Sequence, residues 1–290
     1  MTNVHRAGGV FTCALWIALA SLSGLVACGS GSEQAPRAVE SDSDSVEPES
    51  SPAVDQPPVL DEGPVACDIN DAINETHSSE IVLLAGQSNA NTGLAAAMRK
   101  SLSAQDLNYF FGHHYVGGRP INSWMLEDGT PGPIWAPMMR AFDTVINQSI
   151  RSEDNISALT FVWFQGEADV YPAQYPLYKP RLGQLIQAIQ AHAEVNWPNV
   201  PAPAFSIAMP ENILPRFRAP MDSIRESIKT TADETANVCA FDTKDIRRVD
   251  AVHIVNIPGI GSQEQLAVAQ RALACGRAAA NRCEKPVGEQ

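Results

Sequence analysis

The chain has 290 residues, a formal net charge of −13, 44% hydrophobic residues and 18% charged ones. That apolar content supports a packed core and excludes wholesale disorder, and the length fits one large domain with appendages or two small domains. An acidic chain without a basic cluster repels phosphate backbones, so nucleic acid is excluded as a partner.

Residues 1–27 read as an export signal. Arg6 supplies a short positive start, and an apolar run from Val10 to Leu22 follows, too short to span a bilayer comfortably. It ends in Leu25-Val26-Ala27-Cys28, which resembles a bacterial lipobox. That resemblance implies cleavage before Cys28, lipid on Cys28, and an exported protein anchored to the periplasmic or outer face of a bacterial membrane. An uncleaved N-terminal anchor is the rival reading, which the small residues before the cysteine disfavour.

Residues 28–66 form a linker. From 29 to 66 there are nine acids and one base, Arg37, among many serines and prolines with almost no aromatic residues. Such a segment buries too little apolar surface to offset the entropy of ordering, so it reads as a solvated tether. Export also changes how the cysteines read. Beyond the leader and Cys28, the four that remain are Cys67, Cys239, Cys275 and Cys283. An even number in an oxidising compartment predicts two disulfides with three possible pairings, set against the alternative of buried thiols. The favoured pairing joins the domain ends through Cys67–Cys283 and leaves Cys239–Cys275. No CxxC pair is present, so the spacing offers no ordinary zinc site, and no metal or cofactor is expected.

Residues 67–290 alternate between two periodicities. Strand-like runs lie at Ile81–Leu84, His114–Val116, Leu159–Phe164, Ala204–Ala208 and Val238–Phe241. Between them, Leu182, Leu185, Ile186 and Ile189 share one helical face, as do Ile224 and Ile228. A last helix opens at Ser262-Gln263-Glu264-Gln265, which has capping-box spacing, and runs through Leu266, Ala269 and Leu273. Five strands alternating with helices predict a mainly parallel sheet inside a three-layer α/β/α sandwich.

Sites in such sheets form at the carboxyl ends of strands. Four polar blocks fall there: Gly86-Gln87-Ser88-Asn89 after the first strand, Gly117-Gly118 through Trp124 after the second, Gln165-Gly166-Glu167-Ala168-Asp169 after the third, and Asp250-Ala251-Val252-His253 after the fifth. A serine hydroxyl needs a base to take its proton, and the base needs a group to fix its tautomer. Among six histidines, only His253 follows a strand with an acid three residues earlier. His5 lies in the leader, His77 near the start of the body, His192 on a helix face, and His113 and His114 beside the second strand.

Taken together, Leu84-Ala85-Gly86-Gln87-Ser88-Asn89, Gly117-Gly118-x-x-Ile121-x-x-Trp124, Trp163-x-Gln165-Gly166-Glu167-x-Asp169 and Asp250-x-x-His253 resemble the sialate O-acetylesterase (SASA) domain. That domain includes carbohydrate esterase family six and belongs to the SGNH hydrolase superfamily. The resemblance implies a flavodoxin-like fold, a cofactor-free serine site and removal of O-acetyl groups from an acetylated carbohydrate. It makes Ser88 the nucleophile, His253 the base and Asp250 the orienting acid. The oxyanion donors it implies are the Ser88 N–H, a block-two glycine N–H at Gly118, and the Gln165 side chain. Gln87, Asn89, Gly117, Glu167 and Asp169 are candidates for support or substrate binding, with structural support favoured for Glu167. Trp124, Trp163 and Tyr171 are candidates for stacking on a sugar, against the commoner role of core or pocket wall. Ala90, where methionine is common, and Arg119-Pro120 depart from the family pattern and bear on substrate preference. Two other readings stand beside this one: a lipase or thioesterase of the same superfamily, which needs an apolar acyl groove, and a non-catalytic glycan-binding lipoprotein.

Overall fold

The computed structural model describes residues 78–105, 107–152 and 154–283. The expected leader, Cys28, the acidic linker and Cys67 lie outside the described residues. Among the described residues no helix is long and apolar enough to cross a membrane.

Five strands, β1 (Ser78–Gly86), β2 (Asn108–Tyr115), β3 (Asn155–Phe164), β4 (Ala204–Met209) and β5 (Val238–Asp242), form one sheet in the order β2-β1-β3-β4-β5. Every neighbouring pair is parallel. The helices are α1 (Thr92–Ser103), α2 (Trp135–Arg151), α3 (Tyr178–Asn196), α4 (Arg218–Glu234) and α5 (Gln263–Cys283). The order is that of flavodoxin-like sheets, with the switch in winding direction between β1 and β3.

The layers follow from strand alternation. On one face Ile81, Leu83, Ala85, Phe161 and Trp163 pack with Phe142 of α2, Leu182, Leu185 and Ile189 of α3, and Ile224 and Ile228 of α4. On the other, Val82, Leu84, Val162 and Phe164 pack with Leu94 and Met98 of α1 and Val268, Ala269 and Leu273 of α5. Burying each large aliphatic side chain contributes roughly 1.5–3 kcal/mol, so these two faces hold the sheet in its sandwich. Both faces of β1 and β3 are covered, which is why their sequences read as unbroken apolar runs.

The α5 cap forms as its sequence spacing predicts. Gln265 N donates to Ser262 Oγ at 3.1 Å, and Ser262 N donates to Gln265 Oε1 at 3.0 Å. One disulfide, Cys239–Cys275, joins β5 to α5 with its Cα atoms 5.5 Å apart. Its expected companion Cys67–Cys283 lies outside the described residues, since Cys67 and the Cys283 side chain are among those not described.

The second strand differs from its expected position. It begins at Asn108 and ends at Tyr115, rather than spanning His114–Val116. β2 is the edge strand beside β1, and most of its residues are only half-buried, so the apolar signal of its first half is weak. Val116 has left the ladder, although its N–H still donates to Gly86 O at 3.0 Å.

Candidate active site

The Gly86–Asn91 turn leaves the end of β1 sharply. Gly86 has φ 145°, and a Cβ there would lie 2.0 Å from Phe164 O, so only glycine lets β1 and β3 close up at their carboxyl ends. Asn91 then caps α1, accepting from Gly93 N at 2.9 Å and Leu94 N at 3.2 Å. Its Nδ2 donates back to Ser88 O at 2.9 Å. Ser88 is thus held between a strand end and a helix cap, half-buried at the sheet rim.

His253 arrives from a different part of the chain, on a tight hairpin after β5. Arg248 and Ile254 form an antiparallel bridge, and Val249 N donates to His253 O at 2.8 Å. Inside this hairpin Asp250 Oδ1 accepts from Val252 N at 2.8 Å and His253 N at 2.7 Å. Its other oxygen, Oδ2, lies 2.7 Å from His253 Nδ1, and His253 Nε2 lies 3.1 Å from Ser88 Oγ. Burial works against ionisation of Asp250, but the N–H groups of His253 and Val252 and the His253 ring outweigh it and bring the carboxyl down to about 2. An ionised Asp250 accepts only. It therefore keeps the proton on Nδ1 and leaves the Nε2 lone pair to take the Ser88 O–H.

Beneath this line lies a polar scaffold. Glu167 is buried and accepts from Gln87 Nε2 and, at 2.6 Å, from Asn89 Nδ2, the residues on either side of Ser88. Desolvation raises its pKa. Asn89 also donates to Val252 O at 3.2 Å and accepts from Ile254 N at 3.0 Å, gripping the residues on either side of His253. Through these bonds Glu167 and Asn89 tie the segment that carries Ser88 to the segment that carries His253. Asp169, fully buried, accepts from Ile121 N at 3.0 and 3.1 Å and from the Gln165 side chain. Desolvation pushes its pKa up to about 7.

Gly117 and Gly118 are exposed on the loop that Asp169 anchors. A Cβ built on Gly117 would lie 3.8 Å from Ser88 Cβ, and Gly118 has φ 66°, a turn that favours glycine. Among the described residues no backbone carbonyl outside helices and strands accepts from the N–H of Ser88 or Gly118.

Several expectations need correction. The Gln165 side chain is fully buried, and Nε2 has both hydrogens engaged, one by Arg119 O at 3.0 Å and one by Asp169 Oδ2. In this arrangement it braces the loop instead of aiming a hydrogen at an oxyanion. Trp124 is 0% exposed and meets Trp163 edge to face at 5.1 Å, so neither indole has a free face for a sugar. Ala90 is also fully buried, in the core beneath α1, and does not line a substrate surface. Sequence reasoning missed Asn91, whose signal is an N-cap residue directly before Thr92-Gly93. It also missed the second role of Gln265, which donates to Asn91 Oδ1 at 2.9 Å and links the caps of α1 and α5.

A family model described as carbohydrate esterase, sialic acid-specific acetylesterase (SASA), matches residues 113–269, more than half of the chain. The chain belongs to the SASA family. It is a carboxylic ester hydrolase built on a parallel five-stranded α/β sheet. No curated protein matches it. Among solved structures, the chain is similar to a carbohydrate acetylesterase from Xanthomonas citri at 14% identity and a TM-score of 0.51, over 71% of this chain and 57% of that one. It is also similar to a protein from Arabidopsis thaliana (15% identity, TM-score 0.49, 70% of this chain and 98% of that one). A carbohydrate acetylesterase from Sinorhizobium meliloti has 15% identity and a TM-score of 0.44, over 68% of this chain and 99% of that one. At 14% identity the likeness to the Xanthomonas citri structure is one of fold. The SASA match spans His113 to Ala269, and so includes the block-two glycines, Gln165, Glu167, Asp169, Asp250 and His253, whereas Ser88 lies ahead of it.

Proposed function

We propose that this SASA protein removes O-acetyl groups from carbohydrates, with Ser88 as nucleophile, His253 as base and Asp250 as the acid that orients it. The observation that carries this reading is the line Asp250 Oδ2–His253 Nδ1–His253 Nε2–Ser88 Oγ, with gaps of 2.7 and 3.1 Å. As Ser88 Oγ bonds to the acetyl carbon, its proton passes to Nε2 and the carbonyl electrons move onto oxygen. The resulting imidazolium is steadied by ionised Asp250. Collapse breaks the bond to the sugar oxygen, which leaves with the proton from Nε2. Water then repeats the sequence on the acetyl-serine, releasing acetate and restoring Ser88.

The oxyanion needs donors already aimed at it. The N–H groups of Ser88 and Gly118 are the candidates, because no backbone carbonyl outside helices and strands competes for them among the described residues. Gln165 enters this reading as a brace that, with Asp169, holds the Gly117–Ile121 loop beside Ser88.

The test is Ser88→Ala. The expected result is a fold unchanged by circular dichroism with acetate release lowered by about a millionfold in kcat. Wild type is assayed on acetylated xylan, O-acetylated sialic acids and O-acetylated peptidoglycan, and on p-nitrophenyl esters of increasing acyl length. Near-native turnover by folded Ser88→Ala overturns the nucleophile. Preference for long acyl esters over every acetylated glycan overturns the substrate class in favour of a lipase.

For location, we propose a lipoprotein cleaved before Cys28 and exported to a bacterial membrane surface. The support is the Leu25-Val26-Ala27-Cys28 sequence after an apolar run. Cys28→Ser is expected to abolish incorporation of labelled palmitate, and unchanged labelling refutes the assignment.

A further inference from the structure

Among the described residues most large aromatic rings are buried in the core or packed against it, but Tyr171 is 58% exposed. Its ring meets Phe217 edge to face, with centroids 5.6 Å apart and an interplanar angle of 74°. The Arg216 guanidinium lies over Phe217 at 4.7 Å. Phe217 is therefore held from two directions and in turn steadies Tyr171, which lowers the ordering cost of placing a ligand on that ring. We propose that Tyr171, backed by Phe217, is a stacking platform for a sugar ring of the acetylated glycan, beside the unit that is deacetylated at Ser88. This rests on the carbohydrate esterase reading above. One face of a pyranose carries C–H bonds with slight positive charge, which suits the negative face of an aromatic ring.

The position fits such a subsite. Tyr171 follows buried Val170 and stands four residues after Glu167, whose carboxylate holds Gln87 and Asn89 on either side of Ser88. Four residues of chain reach about 14 Å at most. Phe217 lies on the segment that leaves the carboxyl end of β4. That segment is tied to the His253 hairpin, because Ile213 N donates to Ala251 O at 2.9 Å. Residues Glu211, Asn212, Ile213 and Arg218 of the same stretch line a cavity of about 480 Å³ together with Asp222 and Lys244.

The experiment compares wild type, Tyr171→Ala and Tyr171→Phe on an acetylated xylo-oligosaccharide and on p-nitrophenyl acetate, with KM and kcat measured for each. For Tyr171→Ala the ratio of kcat/KM on the oligosaccharide to that on p-nitrophenyl acetate is expected to fall by about three- to tenfold, carried by KM. Tyr171→Phe keeps the ring face and is expected to restore the ratio. An unchanged ratio in Tyr171→Ala overturns the platform, and so does Tyr171→Phe losing as much as Tyr171→Ala. If wild type releases acetate from none of the acetylated glycans, the carbohydrate reading itself fails and the platform with it. If wild type is active on them and only the ratio fails to move, the platform alone is wrong.

Discussion

Asn89 shows how one side chain joins pieces of a site that are far apart in sequence. Its amide donates to Glu167 Oε1 at 2.6 Å and Val252 O at 3.2 Å, and accepts from Ile254 N at 3.0 Å. Asn89→Ala strands the Ile254 N–H and removes a donor from the buried Glu167 carboxyl. Leaving a buried group unpaired costs about 1–3 kcal/mol. The larger effect belongs to chemistry, because a displacement near 1 Å at a reacting group costs on the order of a hundredfold in rate. Asn89→Ala is expected to lower kcat on p-nitrophenyl acetate by about 10- to 100-fold with little change in KM. Asn89→Asp is expected to be worse, since it sets a second carboxylate against Glu167. A folded Asn89→Ala enzyme with kcat within a few-fold of wild type shows that other contacts position His253.

At the level of elements, α5 lies unusually close to the sheet. A Cβ built on Gly276 would sit 2.3 Å from Thr160 Cγ2 and 2.9 Å from Thr160 Oγ1. Thr160 is β-branched and set on a central strand, so it has little freedom to move aside. In an exposed helix interior, Gly→Ala stabilises by about 1 kcal/mol. At this contact the sign reverses, because forcing an extra methyl into a packed interface costs about 1–3 kcal/mol. Gly276→Ala is expected to lower the urea midpoint while leaving kcat near wild type, since the contact faces the β3 interior and not the rim. A raised midpoint would show that α5 shifts outward without loss. The Cys239–Cys275 bridge ties the same pair of layers covalently, joining β5 to α5 across 36 residues of sequence.

For the whole molecule, buried carboxyls give stability a pH dependence with a defined sign. Desolvation pushes Asp169 up to about 7, whereas in the unfolded chain an aspartate titrates near ~3.9. Between those values the folded state binds a proton that the unfolded state lacks. Stability from this group therefore falls as pH rises from about 4 to about 7 and is level above that. Glu167, raised by burial, adds a slope of the same sign. His113 and His114, lowered by burial, add the opposite slope, and Asp250, down at about 2, acts only in strong acid. Comparison with Asp169→Asn isolates one contribution. Asparagine keeps an acceptor for Ile121 N and offers a donor to Gln165 Oε1, which has no partner among the described residues. The melting temperature of Asp169→Asn, relative to wild type, is expected to rise between pH 5 and pH 8. A constant difference across that range would mean that Asp169 is ionised throughout.

Features set by neighbours along the chain are legible in the sequence itself. The buried face of α3 at Leu182, Leu185, Ile186 and Ile189 follows from a period of 3.6, and the Ser262–Gln265 cap from a spacing of three. The apolar runs of β1 and β3 announce strands covered on both sides. Ser88 and His253 stand out by their residue types after strands, and their side chains do meet. What depends on distant segments is not legible. The start of β2 is hidden because an edge strand is only half-buried. Trp124 has the look of a rim aromatic, but Trp163 closes over it, and Gln165 has the look of a free donor, but Arg119 O and Asp169 take both hydrogens. The Cys239–Cys275 pairing is one of three open choices until β5 and α5 pack together. Periodicity and capping act over a few residues, so the sequence alone determines them. Burial and the last free hydrogen of a polar group are decided by whichever segment arrives from far away, as Ile254 does at Asn89 from 165 residues along the chain.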